Sequence, residues 1–395
     1  MTSHPLAGEA PGQGDALPII RTLPLMITYA LGFMSTTYMP VWVGVTAGRY
    51  AVAVSRIGLI GSCELAAVAL ASILTAAFRT PGPRRSPLAI GLIISVVANL
   101  SAATAPTLAL FTWSRIGAGL ANGFLLAEVN GRAAAAPAPS RVFAGQLFVM
   151  VVFAVIFFST APRMLSTLGP GAPFFYCAAT GLLTLASLPS LYMGRRAAAH
   201  APASRPFRMR AAAVLLLGAA TLLFVTLNSV WPYLDAEASK AGVSLSVLSR
   251  VLAAGAVANL LAPVLAELLA RSRVSHFLVV TAGIISTAVC IALITATVSS
   301  ALFMAGALLS PFFLIFLVPF YLTFLVKIDA SGKFVAASAA FFMIGSAIGP
   351  GIGGIALRQL GMAGLSIVGI VTPLLALLAT WSGIAGQARV EPIDR

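Results

Sequence analysis

Five ionisable side chains, Arg56, Glu64, Arg115, Glu128 and Arg250, stand inside long apolar stretches of this chain. Charge held away from water is costly, and where it persists in apolar sequence it marks pairing, binding or ion movement. Glu64 and Arg115 carry opposite charge. They can form a structural ion pair, or a site that takes and releases a proton as its partner moves. Arg56 and Arg250 offer the planar fork that suits a carboxylate or phosphate. Each also lies near enough to a span end to reach headgroups along its aliphatic stem. The three cysteines, Cys63, Cys177 and Cys290, are far apart in apolar sequence. They show neither metal-ligand spacing nor a disulfide framework and read as small buried hydrophobes. His4, His200 and His276 are each alone. No nucleophile or metal cluster supports an enzyme, and no Gly-rich loop ending in Lys-Ser/Thr supports direct ATP drive. Neither cofactor nor metal is expected. A channel would need a repeated filter or a ring of charges, which is absent.

The elements that must position these residues are membrane spans. The chain is 59% hydrophobic and 9% charged, far below the roughly 25% charge of a soluble domain. Its mean hydropathy is +1.01. A net charge of +14 invites a nucleic-acid reading, but the basic residues sit in short gaps between apolar runs rather than on one patch. No nucleic-acid partner is expected. A spanning helix needs about 20 apolar residues. Spans fall near 23–45, 52–78, 88–105, 108–130, 142–161 and 173–192, then near 211–233, 243–268, 275–297, 300–326, 334–357 and 360–385. The fold class is therefore an all-α membrane protein of twelve transmembrane helices.

Counting Lys and Arg across the gaps orients the chain. Seventeen fall on the side of the N-terminus and four, Arg49, Arg163, Lys240 and Arg358, on the other. Both termini are thus predicted to be cytoplasmic. The Gly- and Pro-rich start has no basic leader before a cleavage site and reads as a cytoplasmic tail rather than a signal peptide. The predicted organisation is a tail over 1–22, a six-helix bundle over 23–192, a basic linker over 193–210, a second bundle over 211–386 and a tail over 387–395.

The halves echo each other. Val54-Ser55-Arg56 matches Leu248-Ser249-Arg250 at an offset of 194, and Arg141-Val142-Phe143-Ala144 matches Lys333-Phe334-Val335-Ala336 at 192. Tyr38-Met39-Pro40-Val41-Trp42 closes the first span much as Ser229-Val230-Trp231-Pro232-Tyr233 closes the seventh. Duplicated halves of this kind face each other across a cavity. Together with Arg115-Ile116-Gly117-Ala118-Gly119 in the fourth span, this pattern resembles the major facilitator superfamily. The family's loop signature after the second span survives weakly at Ala76 to Arg85, with Arg84 and Arg85 but no Asp before them. A closer echo follows the eighth span, at Pro263-Val264-Leu265-Ala266-Glu267 with Arg271 and Arg273.

The resemblance implies two pseudo-symmetric six-helix bundles that rock about a central site, in a monomer of a bacterial inner membrane. It implies secondary active transport of a small organic solute, amphipathic or anionic, coupled to protons, with membrane lipid as the surrounding partner. A proton-driven multidrug efflux antiporter is the alternative, because Gly345 to Gly354, with Gly349-Pro350 at a bend, is similar to the Gly-Pro motif of such antiporters. Under this reading Glu64 and Arg115 are the proton-coupling pair, unless they only hold helices together. Tyr29, Tyr38, Arg56, Asn122, Asn228, Trp231 and Arg250 are the substrate-binding candidates. Glu128, Arg132, Glu267, Arg271, Asp329 and Lys333 are the gating candidates.

Overall fold

The computed structural model describes residues 19–78, 85–136, 138–191, 210–296, 299–328 and 333–388. All regular structure among them is helical. The first half comprises α1 (Ile19–Thr37), α2 (Met39–Tyr50), α3 (Val54–Phe78), α4 (Ser86–Thr104), α5 (Leu108–Ala134), α6 (Pro139–Leu168) and α7 (Ala172–Ser187). The second comprises α8 (Ala211–Val230), α9 (Leu234–Lys240), α10 (Leu245–Ala258), α11 (Leu261–Ala270), α12 (His276–Thr295), α13 (Ser300–Ile328), α14 (Lys333–Leu360) and α15 (Met362–Ala388).

Nine stretches among the described residues are long and apolar enough to cross a bilayer unaided, and one of these, Pro139–Ser190, is 52 residues long. It folds back as α6 and α7 and so crosses twice. Two further crossings are too polar to stand out by composition: α1 with α2, which Tyr38 interrupts, and α5, which carries Arg115, Glu128 and Arg132. The total is twelve crossings in two six-helix bundles. Large apolar side chains such as Phe78, Trp113 and Leu268 point outward, as lipid-facing surfaces require.

Departures from the predicted spans occur where proline or a turn acts. The first span is two helices because Pro40 has no N–H for the carbonyl of Thr36, four residues back. Thr107 ends the tight turn between α4 and α5 by accepting the N–H of Leu110 at 3.3 Å, as an N-cap should. The eighth span, read as one helix, is broken between α10 and α11, where Leu260 N–H bonds to Val257 O at 3.1 Å. Gly349-Pro350, by contrast, does not interrupt α14, which continues to Leu360. Cys177 and Cys290 are buried as expected of small hydrophobes, but Cys63 is exposed on the flank of α3.

Within the first bundle, α3 and α5 approach through glycine. A Cβ on Gly119 would strike the backbone carbonyl of Glu64, and one on Gly123 the carbonyl of Val68. Backbone atoms cannot swing aside, so this approach requires glycine. Gly117, two residues away and so on a different face of α5, would meet only the Cβ of Ala98, at 3.9 Å. Gly119→Ala is expected to lower stability by about 1–3 kcal/mol, the usual cost of overpacking. Gly117→Ala should leave it unchanged or slightly raised. Thermal unfolding of the two variants in the same detergent checks this; equal midpoints would contradict the packing argument.

Using the predicted orientation to name the ends, the two bundles pack together mainly at the outer end. There α3 lies along α14, α6 along α10, and α2 against the turn Trp231–Tyr233 and α9. Gly58 receives the hydroxyl of Tyr233, Gly354 sits over the carbonyl of Ser55, and Gly351 lies against Ser62. The Tyr233 hydroxyl donates to Pro350 O at 2.7 Å. The inner half of the eighth crossing, α11, packs instead on α13 of its own bundle.

Candidate functional site: an ion pair beside a cavity between the bundles

The ion pair forms inside the first bundle, on the α3–α5 contact that the glycines allow. Glu64 and Arg115 are both fully buried. Arg115 Nε donates to Glu64 Oε2 at 3.0 Å, and Arg115 Nη2 donates to Oε1. Two more guanidinium hydrogens are also used: Nη1 donates to Asn99 Oδ1 at 2.9 Å and Nη2 to Ser35 Oγ at 2.9 Å. The guanidinium carbon lies 4.9 Å from the ring centre of Phe174 and 5.9 Å from that of Trp42, where aromatic faces stabilise a cation. Asn122 belongs to the supporting shell. It accepts from Ser95 Oγ at 2.9 Å, and Ser95 O in turn takes the Asn99 amide at 2.8 Å. Four helices are thereby tied to one guanidinium.

Between the bundles lies a cavity of about 210 Å³. The first bundle contributes Phe33, Thr36 and Thr37 from α1 and an apolar face of α6. The second contributes Asn228 and Trp231 at the end of α8, Asn259 at the α10–α11 break, part of α13, and Ser346 of α14. None of the lining residues is ionisable. The carbonyl that Pro40 leaves free on Thr36 is taken by Trp231 Nε1 at 3.0 Å, so the roof of the cavity is a hydrogen bond between the two halves. Asn228 Nδ2 donates to Phe224 O at 2.9 Å and approaches Ser346 Oγ at 3.5 Å.

Of the residues singled out for substrate binding, Asn228 and Trp231 line this cavity. Tyr38 does not: it is buried in an aromatic cluster of the first bundle, stacked on Phe157 at 3.7 Å. Tyr29 is half-buried one turn from the cavity and packs on Phe33 at 4.9 Å. Asn122 is buried in the ion-pair shell. Arg56 and Arg250 are exposed at the outer ends of α3 and α10, with Arg250 Nε near Ser246 O at 3.4 Å. The Glu64–Arg115 pair lies within the first bundle and outside the lining.

Among the gating candidates, Glu128 pairs with Arg132 at 3.2 Å within α5, and Glu267 with Arg271 at 2.6 Å within an exposed stretch at the end of α11. Both pairs are i,i+4 contacts on one chain segment. Asp329 lies outside the described residues, as does His200, and Lys333 opens α14. Gly349 packs on Asn228, where a Cβ would come within 2.6 Å of that residue's own Cβ. Sequence reasoning passed over Ser35, Asn99, Thr36, Asn259 and Ser346. For Thr36 and Asn259 a signal exists: a proline four residues on, Pro40 and Pro263, has no N–H to offer the carbonyl of either.

Two helical bundles of six crossings each, meeting around a central cavity, define the major facilitator fold. Solved structures agree. A bacterial homologue of the human lysosomal transporter Spinster, in an inward-facing and occupied conformation, superposes with a TM-score of 0.70 at 15% identity, covering 95% of this chain and 97% of that one. The nucleoside transporter NupG superposes with a TM-score of 0.69 at 14% identity, covering 92% and 99%. The Spinster homologue in its unoccupied inward-facing form gives 0.66 at 14%, covering 94% and 97%. At such identities the likeness is one of fold. No protein-family model matches the sequence, and no curated protein does. Among the described residues no three His, Cys, Asp or Glu side chains gather where a metal could be held.

Proposed function

We propose that the protein is a secondary active transporter that carries a small organic solute across a bacterial inner membrane by alternating access, as a monomer with both termini in the cytoplasm. The observation that carries this reading is the cavity at the seam of the two bundles, roofed by the Trp231–Thr36 bond and sealed outward by Tyr233 and the glycines of α14. Rocking of the bundles about the cavity opens that seal as the opposite end closes, and a ligand between the halves is exposed to each side in turn. The proton gradient supplies the drive. Glu64 is the proposed proton carrier, because protonation would strip a wholly buried Arg115 of its counter-charge and so favour a different packing.

The apolar, uncharged wall supports efflux of apolar or amphipathic compounds over uptake of an anion, for which the lining provides no cationic group. Purified protein in vesicles, with and without a pH gradient, should move at least one labelled solute from a panel of organic acids, amino acids, siderophores and lipophilic compounds. Filling the cavity with Ala256→Trp should reduce that flux to the level of empty vesicles. Failure of every solute to move, or undiminished flux through the filled cavity, would contradict the reading.

A further inference from the structure

The cavity wall also restricts the charge and hydrogen bonding of what it holds. We infer that the solute is uncharged where it is bound and donates a hydrogen bond to the second bundle from a largely apolar body; this rests on the transporter reading above. A buried ion needs an opposite charge or several aligned dipoles to offset its lost hydration, and no lining residue is ionisable. The buried pair Glu64 and Arg115 lies outside the lining, and its charges are directed at each other and at Asn99 and Ser35.

The polar atoms that remain favour a donor on the ligand. Trp231 Nε1, the strongest fixed donor in the wall, is committed to Thr36 O. The Thr37 hydroxyl donates to Phe33 O at 2.9 Å. The amide of Asn228 is oriented by its bond to Phe224 O, since a carbonyl can only accept, and this leaves Oδ1 as the outward acceptor. Asn259 Oδ1, at the α10–α11 break, is buried without a hydrogen-bond partner. That oxygen is closed off from the cavity space, so Asn228 Oδ1 is the amide acceptor left for a ligand, and an acceptor left unmet once water is displaced is costly. Thr36 and Ser346 can serve either role. Phe33, Phe158, Phe224 and the Trp231 ring enclose the rest, which suits an aromatic or alicyclic body. A hydroxyl or amide N–H on such a body supplies the missing donor; a carboxylate has no hydrogen for Asn228 Oδ1 and no counter-charge in the wall, and a quaternary ammonium has no hydrogen to give.

Four matched probes test this: 3-phenylpropan-1-ol, its methyl ether, 3-phenylpropanoate and trimethyl(3-phenylpropyl)ammonium. Binding to the full chain in nanodiscs is measured by saturation-transfer NMR, subtracting the signal of Ala256→Trp nanodiscs to remove lipid partitioning. The alcohol should bind at least tenfold more tightly than each of the other three. Asn228→Leu should reduce the alcohol to the level of its ether while leaving the ether unchanged. Equal or tighter binding of either charged probe, an unaltered alcohol-to-ether ratio in Asn228→Leu, or no cavity-dependent binding of any probe would overturn the inference. Should the vesicle panel still show flux that Ala256→Trp blocks, the transporter reading survives such a result; should that flux be absent, the transporter reading itself fails.

Discussion

Glu64→Gln is expected to abolish solute accumulation driven by a pH gradient, down to the level seen without one, while solute exchange at equal pH remains measurable. The argument rests on what each state leaves buried. In the structure Glu64 neutralises Arg115 through two hydrogen bonds, in a site that excludes water. A proton on that carboxylate converts a balanced pair into a lone buried cation, a change worth several kcal/mol where the dielectric is low. A change of that size is ample to shift the balance between two packings of the bundles. Gln fixes the neutral form of the side chain. It keeps a carbonyl oxygen for the guanidinium, and Asn99 and Ser35 keep the others in place, so the bundle still folds. Glu64→Leu removes that oxygen as well and is expected to cost about 3–5 kcal/mol and most of the folded yield. Gradient-driven accumulation that persists undiminished in Glu64→Gln would assign the pair a purely structural role.

The sequence made the fold legible because lipid leaves so little choice. Backbone groups in hydrocarbon must bond internally, so apolar runs of sufficient length become helices, and the matched Arg56 and Arg250 register exposes the duplication. The pairing of Glu64 with Arg115 was legible for a related reason: two opposite charges at similar depth in apolar sequence have few other partners. The cavity was much less legible. Tyr38 and Asn122 are polar residues on the expected helices, yet the face each presents is set by packing. Tyr38 turns into Phe157, and Asn122 into Ser95. Arg56 and Arg250 lie outside the cavity because their long stems let the charge reach the outer surface. Thr36 and Asn259 escaped notice because what recruits them is a break in a helix, and a break shows in sequence only when a proline marks it. Pro40 does so for the first, and Pro263, four residues after Asn259, does so for the second. The acidic and basic residues at the ends of α5 and α11 pair at i,i+4, which sequence spacing alone permits as readily as a bridge between helices.

The most direct measurement of the central claim, that transport requires the outer seal to open, is a reversible cross-link through it. A Cβ on Gly351 would lie 3.6 Å from the Cβ of Ser62, inside the roughly 3.5–4.5 Å that a disulfide spans. The two positions belong to α14 and α3, one from each bundle. Ser62→Cys with Gly351→Cys, in a Cys63→Ser background that removes the exposed neighbouring thiol, should therefore oxidise readily. Once cross-linked, the outer ends of the bundles cannot separate. Flux of any solute that the vesicle panel identifies is predicted to fall to that of empty vesicles and to return when a reductant is added. A cross-linked protein that carries the solute at the rate of its reduced form would contradict alternating access through this seal.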